Sequence, residues 1–581
     1  MEQFNAWMEA VNGVLWHDGV LVVVLLTGVV LTIWSRFGQY RALTHGLQVI
    51  RGRYDERDDP GAINHFQALS AALSATVGLG NIGGVALAIS LGGPGAVFWM
   101  WVVGFFGMAL KLTEVNLSML YRNTDDPDNP HGGPMWVASK GLALMNPRLA
   151  GVGAFVGGLF CVTLLISTIT GGNMFQAWNV AEITRSYFGV PGVASGILMA
   201  LIVGVVIIGG IRRIGAVAGR LVPFMVALYL LAGSYVLIMH AADLPGVFAL
   251  ILRSAFGPTE AAGAFVGGTL GYAFLYGMKR ALFSNEAGQG SSPIAHAAAK
   301  TKEPVREGIV AALEPFIDTL IVCTFTALVI LATGVWNRGP DTEYGVPPDI
   351  EEVAPGVWTL ESTPAPMPPA SDGAWFDGES VFMIVHAHHS ERSGTDLHKI
   401  YGTISGTGQG RPMIEWRNFA SPVEPRLASR GLYVDFQGAT LTARAFDSVA
   451  PGLGKWLVTL AAWLFALSTM ISWSYYGEQG MVYLGGERTV LPYKFVFCLL
   501  IIVATVGLVQ TDRELDNLTG IGTGVMLFAN LPIIWLFSRQ AMAAYRDYVE
   551  RLDSGQVGPG HEPPSIEDLV SGRDVAPRER N

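Results

Sequence analysis

The residues best suited to chemistry lie in a glycine-rich run from Ser74 to Gly84, inside an apolar stretch. This run contains four glycines and Asn81. Glycines that interrupt a membrane helix free backbone N–H and C=O groups, which can then bind an anion at the start of the following half-helix and a cation through carbonyl oxygens. The run therefore predicts a binding site for a small charged ligand, with Gly78, Gly80 and Asn81 at its centre. Close helix packing through small residues is the alternative.

A second segment of the same character extends from Phe265 to Tyr272 and includes Thr269. It follows the first segment after about five predicted spans, the interval at which two inverted halves of about ten core helices place their two broken helices. The spacing predicts that both segments line one site, to which Thr269 contributes.

Polar, uncharged side chains in other apolar stretches extend this predicted site. Gln176 can both donate and accept hydrogen bonds, and Trp473 lies in another such stretch. Ser468 and Thr469 offer neutral oxygen ligands that suit a weakly held Na⁺. Hydrogen bonds between helices, and back-bonding of Ser and Thr within one helix, are the structural alternatives.

Ionisable residues are sparse in the apolar stretches. Lys111 and Glu114 are three residues apart and are expected to pair on one helix face. Glu314 and Asp318 are expected to pair with basic residues near the membrane surface. No predicted span carries a carboxylate near its centre, which disfavours a deeply buried proton relay.

Composition indicates the class of protein. The chain has 581 residues, of which 51% are hydrophobic and 14% are charged, whereas soluble domains are about 25% charged. Because a helix of about 20 apolar residues crosses a bilayer, the sequence predicts an all-α polytopic membrane protein with about 11 spans. The predicted spans are 19–35, 66–91, 95–110 (extending to Tyr121), 149–181, 186–211, 221–242, 261–278, 319–337, 456–477, 495–511 and 517–538.

Basic residues cluster in every second predicted connection, including one that holds Lys279 and Arg280, while residues 1–18 have none. The positive-inside rule places the N-terminus outside and the C-terminus in the cytoplasm. The predicted organisation is an N-terminal segment with an extra helix (1–64), spans two to eight (65–337), an insert (338–450), the last three spans (451–540) and a polar cytoplasmic tail (541–581).

The insert is predicted to be a small external domain. Its first half, Gly339–Gly378, is rich in Pro, Asp and Glu and reads as an irregular linker, whereas alternating runs in its second half predict strands at 381–385, 413–416 and 432–436. A group of four histidines suggests either a metal site or a solvated strand. These are His386, His388, His389 and His398.

Several functions are excluded or disfavoured. The net charge of −10 argues against nucleic-acid binding, and Gly78–Gly83 matches a nucleotide-binding motif in spelling only, because no strand precedes it. No catalytic constellation or organic cofactor motif is present, so no enzyme is predicted.

In several longer strings the sequence resembles the alanine or glycine:cation symporter family, also called the sodium:alanine symporters. The strings are Ala75–Ile82, Leu91–Trp101, Gly132–Met135, Gly172–Met174, Phe283–Ala299, Glu314–Thr319, Ser468–Thr469 and Trp473–Gly477. They occur in order across almost the whole membrane portion.

The resemblance implies a LeuT-like fold of two inverted five-helix repeats with one extra N-terminal helix. It implies uptake of a small neutral amino acid, alanine or glycine, together with Na⁺ across the plasma (inner) membrane. Gly78, Gly80 and Asn81 would bind the substrate carboxylate, and Gln176 and Trp473 would shape the pocket. Backbone near Ala75 and Gly78, with Ser468 and Thr469, would bind Na⁺.

The sequence departs from the family pattern, which usually has Thr at Leu79, Leu at Gln289 and a small residue at Lys279, and which lacks the long insert. The three substitutions leave the substrate preference and the gating at the cytoplasmic side open. The insert suggests a domain that gates access or binds an external partner. A proton-coupled transporter and a receptor that binds an amino acid without transport are the competing functions.

Overall fold

The computed structural model describes residues 2–56, 59–261, 263–368, 374–391, 393–407, 411–507, 512–557, 565 and 568. Most of this part of the chain is helical. The helices are α1 (Glu2–Leu15), α2 (Asp18–Trp34), α3 (His65–Thr76), α4 (Gly80–Gly92), α5 (Gly95–Tyr121), α6 (Pro134–Met145), α7 (Pro147–Phe188), α8 (Gly192–Ile207), α9 (Gly210–Met239), α10 (Leu244–Phe256), α11 (Leu270–Asn285), α12 (Ser292–His296), α13 (Pro304–Ala332), α14 (Ala439–Asp447), α15 (Leu453–Gly485), α16 (Val490–Val503) and α17 (Asp512–Asp553), with short helical turns between Gly38 and Ile50.

In the described part of the chain, seven helices are long and apolar enough to cross a membrane. One of them, Trp7–Trp34, joins the end of α1 to α2, and the bent pair α3–α4 makes an eighth. The predicted spans 186–211, 261–278 and 495–511 overlap the shorter helices α8, α11 and α16. The polytopic helical class is confirmed, while the count of eleven stays a prediction.

Several predicted boundaries differ from the observed ones. Residues 2–15 form helix α1, which precedes the first predicted span and was not predicted. Lys279 and Arg280 lie buried inside α11, not in a basic connection. Helix α17 continues to Asp553, beyond the predicted tail boundary, because its last turns pack against the segment between α2 and α3, called here the connector. There the Tyr548 hydroxyl bonds His45 Nε2 at 2.8 Å. The rest of the predicted tail, apart from 565 and 568, lies outside the described residues.

The break in the seventh predicted span lies elsewhere than expected. Residues 257–261 and 263–269 form an irregular approach to α11, and the helix itself is interrupted between Asn285 and Ser292. Glu286, Gly288 and Gly290 have φ of 55°, 80° and 81° there. Three left-handed residues within five positions cannot continue a right-handed helix, so the chain breaks at this point.

The insert forms two antiparallel sheets. One has the order β1–β9–β4–β5–β6, with β8 also paired to β4, and the other has the order β2–β3–β7. The strands are β1 (Thr342–Glu343), β2 (Ile350–Ala354), β3 (Val357–Leu360), β4 (Ser380–Ser390), β5 (Thr395–Ser405), β6 (Met413–Trp416), β7 (Phe419–Ala420), β8 (Arg426–Leu427) and β9 (Gly431–Val434). The predicted strands are confirmed. The prediction of an irregular first half was wrong, because β2 and β3 pair there as a hairpin.

The insert has its own apolar core and packs on one end of the helical bundle, called here the insert side. Val381, Met383, Ile400 and Ile414 are buried in that core. Thr395 donates a hydrogen bond to the carbonyl of Val266 at 2.6 Å, just before α11 begins. Helix α14, although inside the predicted insert, is buried in the helical core.

Candidate functional site

The bend between α3 and α4 positions the centre of the site. The two helices meet at 51°, and the Val77–Leu79 segment between them leaves backbone N–H groups without helical partners. Side chains satisfy two of these groups: the N–H of Gly78 donates to Asn81 Oδ1 at 2.8 Å, and the N–H of Leu79 donates to Gln176 Oε1 at 3.0 Å. Two amides therefore hold the bend open.

A small cavity lies beside this bend. It is lined by Ala75, Thr76, Gly80, Ser167, Gly171, Gln176, Phe283, Glu286, Gln289, Trp473 and Thr523. Gly80 and Gly171 both face the ring of Phe283. A Cβ would lie 3.4 Å from that ring at Gly80 and 2.9 Å from it at Gly171. The cavity thus has aromatic walls, an amide, a carboxyl group and exposed backbone, a lining that suits a small zwitterion.

Gln176 is oriented by two hydrogen bonds. Its Oε1 accepts from Leu79, as above, and its Nε2 donates to the carbonyl of Gly171 at 3.0 Å. A widened helical turn at Thr170–Met174 in α7 releases that carbonyl. Trp473 of α15 packs against the same turn, since a Cβ on Gly172 would lie 2.4 Å from its ring.

A cluster of neutral oxygens lies next to the cavity. Ser74 Oγ donates to the carbonyl of Ser468 at 2.8 Å, and Thr469 Oγ1 donates to the carbonyl of Ser74 at 3.1 Å. Ser468 Oγ donates to the carbonyl of Phe465 at 2.9 Å. Hydroxyl and carbonyl oxygens converging without a carboxylate fit a monovalent hard cation.

Gly78 joins this oxygen cluster to the cavity. A Cβ at Gly78 would lie 2.3 Å from Thr469 Oγ1 and 3.2 Å from Gln176 Oε1. Because no side chain fits between them, the backbone of the bend contacts both the oxygen cluster and the pocket amide.

The structure places two predicted substrate residues away from the cavity lining. Asn81 Nδ2 donates to Asp318 Oδ1 at 2.6 Å, so its side chain crosses to α13. Thr269 caps the start of α11 and lies beneath Gly394 of the insert, where a Cβ would be 3.0 Å from Thr269 Cγ2. Of the predicted residues, Ala75, Gly80, Gln176 and Trp473 line the cavity.

The sequence-based site omitted the end of α11 and the residues that follow it. Phe283, Glu286 and Gln289 line the cavity from the real helix break. A sequence signal for this second break was present, because the string Phe283–Ala299 contains Gly288 and Gly290. The prediction had assigned the break to the earlier glycines, because composition does not reveal which glycines have a positive φ.

Buried charges are more extensive than predicted. Lys111 Nζ lies 3.8 Å from Glu114 Oε1, as expected, but also 3.3 Å from Glu314 Oε2. Among the described residues, Asp318 forms no ion pair of the expected kind; it accepts from Asn81 and from Ser284 Oγ at 3.1 Å. Asp318 lies at the midpoint of the 29-residue α13, so the expectation of no carboxylate near a span centre was wrong.

A second buried charge group lies towards the insert side of the cavity. Asp516 of α17 accepts a hydrogen bond from Lys279 Nζ and another from Arg280 Nη2, both from α11. All three side chains are buried. The group ties α11 to α17, and Phe283, one turn along α11 from Arg280, forms the cavity wall.

The histidines of the insert do not gather at one point. His386 bonds Asp396 at 2.9 Å, while the rings of His388 and His398 lie 4.5 Å apart. The hydrogen bond from His386 lowers the pKa of Asp396, and burial lowers the pKa of His398. Among the described residues, no group of three or more His, Cys, Asp or Glu side chains is arranged to bind a metal.

The long apolar helices and a polar cavity at a helix break define a multi-pass membrane transporter. The model of the sodium:alanine symporter family matches residues 1–348 and 427–561. The chain belongs to the sodium:alanine symporter family, whose members are transporters and not enzymes. The internal gap in this match, residues 349–426, contains strands β2 to β7.

Named relatives agree with this membership. The chain is 33% identical to the sodium/alanine symporter AgcS of Methanococcus maripaludis over 92% of its own length and 95% of the relative's. It is 31% identical to a putative sodium/proton-dependent alanine carrier of Bacillus subtilis, over 94% and 93% of the two chains. A probable sodium/glutamine symporter of the same organism is 36% identical over 56% of this chain and 65% of the relative.

Proposed function

We propose that this protein is a secondary active transporter that couples Na⁺ to the uptake of a small neutral amino acid, alanine or glycine. The observation that carries the proposal is the position of Gly78, between the cavity and the Ser74–Ser468–Thr469 oxygen cluster. An ion bound at these oxygens would hold the bend in the shape that the substrate needs. Occupation of the two sites would thereby be coupled.

The substrate carboxylate would bind the backbone of the bend near Gly80, at the beginning of α4, where helical N–H groups attract anions. Phe283 and Trp473 restrict the side chain that the pocket accepts, which favours alanine or glycine over longer amino acids. Asn81 would act as a positioning residue, because its Oδ1 accepts the N–H of Gly78. Thr269, at the insert side, would contact the substrate only on its way in.

Na⁺ would bind at the oxygen cluster through the hydroxyls of Ser468 and Thr469 and backbone near Ala75 and Gly78. The names of the sodium/alanine relatives support this choice of ion and substrate. No organic cofactor is needed, because both ligands are cargo.

We further propose the LeuT-like arrangement of two inverted repeats, in which α3–α4 and α11–α12 are the equivalent broken helices. The transporter would lie in the plasma (inner) membrane with its N-terminus and insert outside and its C-terminus in the cytoplasm. The insert, which contacts the approach to α11 through Thr395, would restrict access from outside or bind an external partner there.

Radiolabelled alanine uptake into proteoliposomes, with and without an inward Na⁺ gradient, tests the function. We expect accumulation above equilibrium only with the gradient, and its loss in Thr469→Val. Ser474→Ala is the matched control, because Ser474 is a buried hydroxyl of the same helix that, within the described part of the chain, bonds only the carbonyl of Ile471 at 2.7 Å. Tight alanine binding without any uptake would support the receptor function instead.

A further inference from the structure

A series of buried ionisable side chains extends from the substrate cavity towards the side opposite the insert, with hydrogen-bonding contacts along its middle part. Glu286 lines the cavity, and Lys111 interacts with it electrostatically. From Lys111 the series continues through Glu314, His296, Glu307 and His65 to Asp55. The side chains from Lys111 to His65 are at most 1% exposed, while that of Asp55 is 43% exposed.

Most neighbouring groups in this series are within hydrogen-bonding distance. His296 Nε2 lies 2.6 Å from Glu314 Oε1, and its Nδ1 lies 2.6 Å from Glu307 Oε1. The other oxygen of Glu307 bonds Nδ1 of His65. His65 Nε2 lies 4.0 Å from Asp55 Oδ1.

His296 is bonded to a carboxyl group at each ring nitrogen. A neutral imidazole has one N–H only, so this arrangement needs one additional proton, on His296 itself or on one of the two glutamates. A proton can therefore enter at one nitrogen while another leaves from the opposite one. Imidazole held between two carboxyl groups is suited to this relay.

The charge balance also requires bound protons. Lys111 is the single lysine among four glutamates and two histidines of the group, namely Glu114, Glu286, Glu307, Glu314, His65 and His296. Arg122 interacts with Glu307, and Asp318 interacts with Glu286. Even with both histidines protonated, the five carboxylates of the group and these neighbours would outnumber the four cations. Unpaired buried charge is costly, so carboxyl groups of the cluster share protons and titrate together.

The surroundings of this series of ionisable groups are buried and polar. The groups that face it from neighbouring elements are Asp318 (α13), Tyr476 (α15), Arg122 (the end of α5), Asp59 (the connector) and Asn530 (α17), whose amide donates to Glu114 Oε2 at 3.0 Å. Lys111 Nζ, Glu114 Oε1, Glu314 Oε2 and the Tyr476 hydroxyl are buried and have no hydrogen-bond partner among the described residues. Polar atoms that converge in this way can bind a bridging water, which would link Lys111 to Glu286.

We propose that the residues from Glu286 to His65 form a proton pathway between the substrate cavity and the side opposite the insert. In one passage, His65 takes a proton at Nε2 and gives its Nδ1 proton to Glu307; His296 takes a proton at Nδ1 and gives one from Nε2 to Glu314. Lys111 and a bridging water pass the proton to Glu286, which releases one to the cavity. One proton moves, and only N–H and O–H bonds form or break. Each transport cycle therefore moves one proton along this pathway in addition to its other cargo. The proposal rests on the proposed function only for the presence of a transport cycle.

The test uses the full-length protein in proteoliposomes that contain a pH-sensitive dye, with the membrane potential clamped by K⁺ and valinomycin. Alanine and Na⁺ are added outside, and internal pH and alanine uptake are recorded together. We expect an alanine-dependent pH change in wild type and its loss, by at least about tenfold, in His296→Gln and Glu307→Gln. Alanine binding, measured separately, should persist in both variants and serves as the check on folding.

His45→Gln is the matched control. His45 is also a buried histidine, but its hydrogen-bond partner is the hydroxyl of Tyr548, outside the chain of groups. Its pH signal should equal that of wild type.

The outcomes separate this proposal from the proposed function. Na⁺-driven alanine uptake without any pH change, or an unchanged pH signal in a correctly folded His296→Gln variant, would overturn the proton pathway and leave the symporter intact. An alanine-dependent pH change without Na⁺ dependence would support the pathway and refute Na⁺ coupling.

Discussion

The backbone N–H of Leu79 donates a hydrogen bond to the side-chain oxygen of Gln176 at 3.0 Å, joining the bend of α3–α4 to the widened turn of α7. Three consequences follow at this one contact. The bend is held at Leu79, the amide of Gln176 is oriented, and the two helices are coupled by the roughly 1 kcal/mol of one hydrogen bond. The contact uses the main chain of Leu79, so it does not depend on the side chain by which this sequence departs from its family.

Removing the Gln176 amide should weaken alanine binding. In Gln176→Ala the buried N–H of Leu79 loses its acceptor, and an unsatisfied buried group costs about 1–3 kcal/mol, which corresponds to about a fivefold to 150-fold loss of affinity. Equilibrium binding of radiolabelled alanine measures the effect. The control is Gln479→Ala, another buried glutamine, which bonds His131 at 2.6 Å away from the cavity; equal losses in both variants would refute a specific role for Gln176.

A methyl group at Gly78 should disturb Na⁺ dependence. The Cβ in Gly78→Ala would lie 2.3 Å from Thr469 Oγ1, so the Thr469 side chain must rotate away from the oxygen cluster. We expect the Na⁺ concentration for half-maximal uptake to rise at least about tenfold. Gly84→Ala is the control from the same bend, because its Cβ would meet no atom closer than 3.9 Å. Unchanged Na⁺ dependence in Gly78→Ala would argue against an ion at this cluster.

Breaking the buried group around Asp516 should destabilise the protein. Asp516→Asn leaves Lys279 and Arg280 as buried cations without a counter-charge, a loss of about 3–5 kcal/mol in comparable buried pairs. Thermal unfolding in detergent should show a clear drop in the transition temperature, partly restored by adding Lys279→Gln. The exposed pair Arg41–Asp553, at 2.8 Å, supplies the control, since Asp553→Asn should cost only about 0–1 kcal/mol.

Two deletions of different length should separate the insert from the helical core. Removing 349–426, the residues that the family model does not match, should leave alanine uptake intact, because the β1–β9 pair and α14 remain. Removing 340–445 should abolish uptake and lower expression. That deletion takes away most of α14, where the N–H of Ala439 donates to Asn179 at 3.2 Å and Thr442 donates to the carbonyl of Ile82 at 3.0 Å. Equal behaviour of the two variants would refute this division.

Local patterns predicted what depends on neighbours in the chain. The apolar stretches indicated membrane helices, and the glycine-rich run around Gly78 indicated a break, because both signals are contained in a few consecutive residues. The same holds for the i, i+3 pair Lys111–Glu114 and for the alternating strands of the insert.

Contacts between residues that are distant in the sequence could be seen only in the tertiary structure. Glycine content alone predicted the second helix break near Thr269, whereas the helix breaks at Glu286. Only the backbone dihedral angles show which of these two positions is the break. The buried carboxyl groups looked peripheral in sequence because each stands near the end of its own apolar stretch. Packing brings α3, α5, α12 and α13 together, so that His65, Lys111, His296 and Glu307 meet in a dry interior, and the energy of a buried charge depends on those neighbours rather than on its place in the chain.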